Sequence, residues 1–330
     1  MAEFDLIRRL QQIVCGRSGS GQHQPVIGIG DDAAVLNVPV GQQLVVTTDT
    51  LVEGVHFLSE THPRDLGHKS LAVNLSDLAA MGAEPAWFFL ALTLPHEQHE
   101  WLNDFAQGIA GLAESARIHL AGGDTTRGPL SVTITALGLV GRGQALTRSG
   151  AREGDLIAVS GVLGDASSAL RELNSGRPPG EDVLRALHRP EPRLELGRRL
   201  RGLATSCIDI SDGLVADLGH ILEQSGVGAE IRLADLPASG SLQGLNDEER
   251  FDCQLCGGDD YELCFTFPPG KTAKVKQVMR ETGLQISIIG TITGSGRLDI
   301  KTQSGENYQP GGQAYEHFST PRESDGHVSF

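Results

Sequence analysis

Basic residues are the scarce charge in this chain: 27 Lys and Arg stand against 42 Asp and Glu, a formal net charge of −15 over 330 residues. Such a surface repels a polyphosphate backbone at long range and offers no basic stripe to neutralise it, which argues against a nucleic-acid-binding module. Long apolar runs are also missing. No stretch approaches the ~20 apolar residues that a membrane-spanning helix needs. The opening MAEFDLIRRLQQIVCGRSGS is an amphipathic helical pattern broken by Gly16, without the continuous apolar segment of a secretory leader. A cytoplasmic protein with no membrane partner is expected. Cysteines are few and odd in number: Cys15, Cys207, Cys253, Cys256 and Cys264 lack a framework spacing, as suits reduced thiols. Cys253 and Cys256 form a CxxC, but zinc would need a second ligand pair and a redox pair opens a helix after a strand, so ordinary partly buried thiols are expected.

Familiar catalytic signatures are absent as well. There is no GxxxxGK[ST], no HRD or DFG and no GxSxG. GIGDDA, Gly28 to Ala33, fits the dinucleotide fingerprint formally, yet its aspartates would occupy the loop that faces a pyrophosphate. In HEQHE the histidines, His96 and His99, are three apart rather than the four that a zinc helix requires, so solvated residues at a helix start are expected.

What the chain has in quantity is glycine, 42 residues, interleaved with strand-like and helical segments. Gln42 to Thr50, Trp87 to Leu94 and Leu130 to Val140 have the β-branched and apolar content of strands. Between them, DLGHKSLAVNLSDLAAMGA begins with an aspartate that can cap a helix and ends at Gly82, and Trp101 to Ala116 has helical spacing. Residues 141–154, GRGQALTRSGAREG, read as a linker. A second set of strands follows at DLIAVSG, Ala229 to Leu233, Leu263 to Phe267, Gln285 to Thr293 and Leu298 to Thr302. Helices are expected at GDASSALREL, at two short segments divided by prolines within PPGEDVLRALHRPEPRLELGRRLRG, and at KTAKVKQVMRETG. This predicts an α/β (α+β) protein of two αβ domains, 1–140 and 155–318, with a polar tail at 319–330.

Aspartates recur at the ends of apolar runs, many beside glycine: Asp31 and Asp32, Asp49 in TTDT, Asp77 in NLSDLAAMG, Asp124 in AGGDTTRG, Asp209 and Asp212 in DISDGL, Asp259 and Asp260 in GGDDYEL. Strand ends and the loops after them are where αβ folds bind ligands. Two carboxylates ~4 Å apart repel by about 4 kcal/mol at an effective dielectric of 20. If several converge, bound cations must compensate, and all-oxygen ligation by Asp and Thr suits Mg²⁺ sharing its sphere with substrate phosphates. Asn74 and Asp77, three residues apart on an otherwise apolar helix, and Thr47 and Thr48 beside Asp49 extend the oxygen set. His56 follows the Asp49 strand closely, and Arg148 in the linker could meet a phosphate. Residues alone leave open a metal-dependent nucleotide enzyme or a catalytically silent nucleotide binder.

The ordered set GIGDDAAVL, TTDTLVEGVHF, KSLAVNLSDLAAMGAEP, GGDTTRGPLSVT, ALTRSGAREGD, DISDGL and GGDDYELCF resembles thiamine-monophosphate kinases, from about Gly28 to Phe267. The resemblance implies the aminoimidazole-ribonucleotide-synthetase-like fold, an N-terminal domain that dimerises, and transfer of the γ-phosphoryl group of ATP to thiamine monophosphate with several Mg²⁺ ions. It further implies metal ligation by Asp32, Thr47, Thr48, Asp49, Asp77, Asp124, Asp209 and Asp212, nucleotide contact at Gly123, Asp124, Arg148 and Ser211, and substrate contact at His56 and Asp259. Two positions depart from the family pattern. Asp259 stands where the family commonly has a glutamate, one methylene longer, and Gly312 aligns with a usual aromatic residue, with Tyr315 slightly later.

Overall fold

The computed structural model describes residues 3–16, 23–96 and 98–312. The expected tail at 319–330, and Tyr315, lie outside the described residues. The chain divides into two compact units, Met1–Ala145 and Leu146–Phe330.

The first unit runs α1 (Glu3–Cys15), β1 (Gln42–Val52), α2 (Pro63–Ala80), β2 (Glu84–Leu94), α3 (His99–Ala116), β3 (His119–Arg127) and β4 (Ser131–Gly141). Its four strands are ordered β1-β4-β2-β3. β2 and β3 are parallel, as a strand–helix–strand crossover through α3 requires, and the other pairings are antiparallel. α2 is buried on nearly every side from Leu66 to Ala80, its polar Lys69, Ser70, Asn74 and Ser76 included, with His68 and Asp77 less so. It crosses α3 at glycines: a Cβ on Gly67 would collide with the Phe105 carbonyl, and one on Gly108 with that of Arg64.

Three features differ from expectation. The α2 cap is His62, whose Nδ1 accepts from the Arg64 N–H at 3.2 Å, because Pro63 supplies the preset φ of the first helical position. Asp65 sits one turn inside instead, where its charge suits the positive helix end. β1 continues through Thr50–Leu51–Val52, each paired with β4, so Asp49 lies within the strand and not at its end. Asp124 is also in a strand. The glycines of LAGGDTTR mark a close approach and not a loop: a Cβ on Gly123 would collide with the Leu90 carbonyl oxygen of the neighbouring strand.

The second unit runs β5 (Leu156–Ser160), α4 (Asp165–Asn174), α5 (Glu181–His188), α6 (Leu194–Leu200), β6 (Ser206–Asp209), α7 (Leu214–Ser225), β7 (Gly228–Arg232), α8 (Asp247–Cys256), β8 (Leu263–Phe267), α9 (Thr272–Thr282), β9 (Ile286–Thr293) and β10 (Leu298–Lys301). Its six strands are ordered β10-β7-β9-β5-β8-β6. Ile157, Val159, Ile208, Leu218, Ile221, Ile231, Ile289 and Ile292 form the core between sheet and α7. Residues just after Ala145 are tied into this unit. The Thr147 carbonyl accepts from the Cys207 N–H, and the N–H groups of Gly150 and Ala151 donate to Ser225 Oγ. The CxxC closes α8 rather than opening a helix, and burial raises both thiols, Cys256 to about 11.

Candidate active site

In the first unit, alternation along β1 turns Val45, Thr47, Asp49 and Leu51 toward one face and Leu44, Val46, Thr48 and Thr50 toward the other, which is exposed. On the first face Thr47 Oγ1 donates to Asp77 Oδ2 from α2. Burial, and then the negative charge of Asp77, push the Asp49 carboxyl up to about 6. One hydroxyl and two carboxylates thus gather where a second negative charge is already unwelcome. Their donor atoms are all oxygen, which fits a hard divalent cation, and a cation there would offset the repulsion. Asn74, one turn earlier on α2, is fully buried. Its Nδ2 donates to the Ser70 carbonyl at 3.1 Å, while its Oδ1 has no hydrogen-bond partner.

Other residues singled out in this unit stand elsewhere. Thr48 is on the exposed face, where its hydroxyl bonds that of Thr135 at 2.9 Å. Asp124 shares the row Thr50–Thr133–Ala91–Asp124, so it is on that same face and three strand spacings, about 14 Å, from β1. His56 accepts the Val52 N–H on Nδ1 at 3.1 Å in the turn after β1. Asp31 and Asp32 are exposed in a loop closed by the Ile27–Val35 bridge, with the Asp32 N–H donating to Asp31 Oδ1 at 3.0 Å. No helix follows this loop, since the next element is β1, so GIGDDA lacks the strand–turn–helix setting of a dinucleotide fingerprint.

In the second unit β6 delivers Asp209, buried, at its end, and the chain turns through Ser211, Asp212 and Gly213 into α7. Asp217 on α7 holds this turn: its Oδ2 accepts the N–H groups of Ser211 and Asp212, each at 3.0 Å. Burial chiefly pushes the Asp217 carboxyl up to about 7, against those hydrogen bonds, which lower it. The segment 259–262 runs alongside. The Asp259 N–H donates to the Ser211 carbonyl at 2.9 Å and the Tyr261 N–H to that of Ile210 at 2.8 Å, prolonging the ladder between β6 and β8. Glycines permit the approach: a Cβ on Gly258 would lie 2.5 Å from the Ser211 carbonyl oxygen, and one on Gly213 2.8 Å from the Cys256 carbonyl carbon. Asp260 and Glu262 anchor the segment inward. Both Asp260 oxygens accept the Gly164 N–H at 2.9 Å, and burial holds that carboxyl well above the usual carboxylate range. Glu262 accepts from Arg193 Nε at 2.7 Å and Nη2 at 2.5 Å and from Ser160 Oγ at 2.5 Å.

Asp209, Ser211, Asp212 and Asp259 are therefore brought together in the second unit, as Thr47, Asp49 and Asp77 are in the first. Arg148, exposed, belongs to the second unit, where its carbonyl accepts from Ser225 Oγ at 3.3 Å. Gly312 donates its N–H to Asp252 Oδ1 at 3.2 Å. Among the described residues no three acidic, His or Cys side chains form a ready metal-holding group within either unit. Asp217 and Arg193 were not legible as site-supporting residues. For Asp217 a signal existed, an aspartate in the first turns of an apolar helix just after DISDGL.

Residues 30–140 match the family model of the AIR synthase related protein, N-terminal domain, and residues 152–303 that of its C-terminal domain. Fold and site thus define an AIR-synthase-related protein. Within that class the chain is 45% identical to thiamine-monophosphate kinase of Escherichia coli (strain K12) over 325 residues, 97% of this chain and 99% of that protein. The crystal structure of thiamine-monophosphate kinase from Stenotrophomonas maltophilia K279a superposes with a TM-score of 0.86 at 46% identity, covering 93% of this chain and 98% of that one. AaThiL complexed with AMPPCP and TMP gives a TM-score of 0.74 at 30% identity, covering 96% and 97%. The chain belongs to the thiamine-monophosphate kinase family.

Proposed function

We propose that this chain transfers the γ-phosphoryl group of ATP to the phosphate of thiamine monophosphate, releasing thiamine diphosphate and ADP. The observation that carries the chemistry is the Thr47–Asp49–Asp77 constellation, in which burial and a neighbouring charge hold a carboxyl at about 6. Such an arrangement stabilises no apo fold and is suited to a cationic guest.

No protein nucleophile is required, because the acceptor is already an anion and alignment with charge neutralisation suffices. Thr47, Asp49 and Asp77 would hold one Mg²⁺; Asp32 and, on the opposite face of the sheet, Thr48 and Asp124 would be ligands of other ions in the first unit, and Asp209 and Asp212 ligands in the second. The ion's contribution when bound is to neutralise charge developing on the transferring phosphoryl group. Gly123, Asp124, Arg148 and Ser211 meet the nucleotide, the Arg148 guanidinium pairing with a phosphate. His56 and Asp259 meet the acceptor. Asp217 keeps the Ser211–Asp212 turn in shape for the nucleotide and the metal. Two αβ domains, 1–140 and 155–318, joined through 141–154, divide these tasks.

A homodimer through the N-terminal sheet is part of this reading. β1 is an edge strand that exposes Leu44 and Val46, and Val40 just before it is fully exposed. Apolar groups on an open edge are a surface made to be covered. Among the described residues no helix is long and apolar enough to cross a membrane, and the reading places the enzyme in the cytoplasm.

The test is ADP formation by the purified protein with ATP and Mg²⁺, with and without thiamine monophosphate, product mass being determined. Acceptor-dependent ADP matched by thiamine diphosphate is expected. ATP binding with no such product would overturn the acceptor, and no ATP binding would overturn the enzyme.

A further inference from the structure

We propose that Tyr261 is a positioning residue: its buried phenol sets the Asp259 carboxylate for recognition of the acceptor's thiamine moiety. This rests on the kinase reading above and deepens it.

The main chain here is unusual. Asp259 and Tyr261 both have left-handed backbones, φ 68° and 50°, although neither is glycine. Such conformations are costly for residues with a Cβ and persist only where the surroundings over-determine them. The determinants alternate with the strained residues. Asp260 is clamped to the Gly164 N–H and Glu262 to Arg193 and Ser160, while the N–H groups of 259 and 261 are fixed on Ser211 and Ile210.

With the backbone set, the orientation of the Asp259 side chain remains to be fixed. Tyr261 Oη donates to Asp259 Oδ1 at 3.0 Å, from a ring that is 8% exposed and so cannot swing to follow solvent. Both φ values are needed for this contact: residues two apart on an extended strand would share a face but not turn back on one another. Asp259 is also the position where the carboxylate is one methylene shorter than the family's. A short carboxylate has less reach to adapt, so its direction matters more. Held on Ser211 through its own N–H, Asp259 presents its charge beside the Ser211–Asp212 turn.

A double-mutant cycle separates positioning from mere packing. Tyr261→Phe keeps the ring and deletes the donor; Asp259→Ala deletes the acceptor. For Y261F we expect a KM for thiamine monophosphate raised about 5- to 10-fold, the scale of a lost charge-assisted hydrogen bond only partly realised in binding. The KM for ATP and the melting midpoint should stay at their original values. D259A should raise the acceptor KM further, and the double variant should match D259A alone, because Tyr261 acts through Asp259. Independent, multiplying effects in the double variant, or equal changes in both KM values for Y261F, would overturn the assignment. Should Y261F melt early, calorimetric binding of thiamine monophosphate to D259A and D259A/Y261F, compared at a temperature where both are folded, decides the same point: a difference between them overturns it. An original enzyme that makes no thiamine diphosphate would instead refute the kinase reading, and with it this role for Tyr261.

Discussion

Arg193→Met should destabilise the second unit by about 3–5 kcal/mol, the cost of stranding one member of a buried ion pair. The magnitude follows from what Glu262 would lose. Its side chain is 6% exposed and accepts two N–H bonds from Arg193, at 2.7 and 2.5 Å, leaving Ser160 as the remaining donor among these three contacts. The pocket is shaped to the carboxylate, since a Cβ on Gly161 would collide with Glu262 Oε1. For a unit of this size 1 kcal/mol moves the midpoint by roughly 2–4 °C, so a drop of roughly 6–20 °C at pH 8 is expected in scanning calorimetry. The penalty is for an unpaired charge. Arg193→Met/Glu262→Gln should recover at least half of it, because the neutral amide can still accept from Ser160. A single variant within 1 kcal/mol of the original at pH 8, or a double variant no better than the single, would refute the reasoning.

Gly67→Ala should cost ~1–3 kcal/mol or more in denaturant unfolding, since the added methyl meets the Phe105 backbone, which cannot rotate away. Gly111→Ala on the neighbouring helix α3 has nothing within 4 Å of its added methyl and should stabilise by up to ~1 kcal/mol, a contrast that an effect of helix propensity alone would not produce. Asp77→Asn should leave a folded protein, because the amide oxygen still accepts from Thr47, yet lower turnover by about 10²-fold or more; near-normal turnover in a folded variant would remove Asp77 from the machinery. Burial raises all five thiols, so at pH 8 an aromatic disulfide reagent should label the native protein slowly and all five cysteines after denaturation. With Cys256 at about 11, its thiolate is about one part in a thousand at that pH, and a fast native burst would contradict this.

Where a local pattern was strong the sequence was readable. β8 occupies Leu263–Phe267 as its apolar content indicates, and prolines 190 and 192 separate α5 from α6. β3 was hidden because its glycines, the usual mark of a loop, serve a close strand pairing that only the fold reveals. α8 begins with four charged residues in a row, which dilutes its apolar stripe; α7 had a readable stripe in Leu214, Leu218, Ile221 and Leu222, overshadowed by the aspartates before it. Within the site, parity was available in principle. Once Gln42 to Thr50 is taken as a strand, Thr47 and Asp49 must share a face and Thr48 must oppose them. That Asp77 meets Thr47 was not available, because it depends on how α2 crosses β1.

The acidic residues of the second unit make the deeper difficulty plain. Asp209, Asp212, Asp217, Asp259, Asp260 and Glu262 are one residue class in similar sequence settings, yet they divide by what they accept. Asp217 takes two N–H groups of the turn it supports, Asp260 takes the Gly164 N–H, and Glu262 takes a guanidinium and a hydroxyl, the carboxyl group being buried in each. For Asp217 and Asp260 burial raises the carboxyl, so each is held in place at some cost to its charged form. A group kept under those conditions is fixing a shape. Asp259 differs in having a phenol to aim it and a backbone bent to present it. An aspartate beside a glycine therefore signals, with equal force, a carboxylate that holds a turn and a carboxylate that the turn offers; what separates them is whether the backbone or the ligand receives its lone pairs.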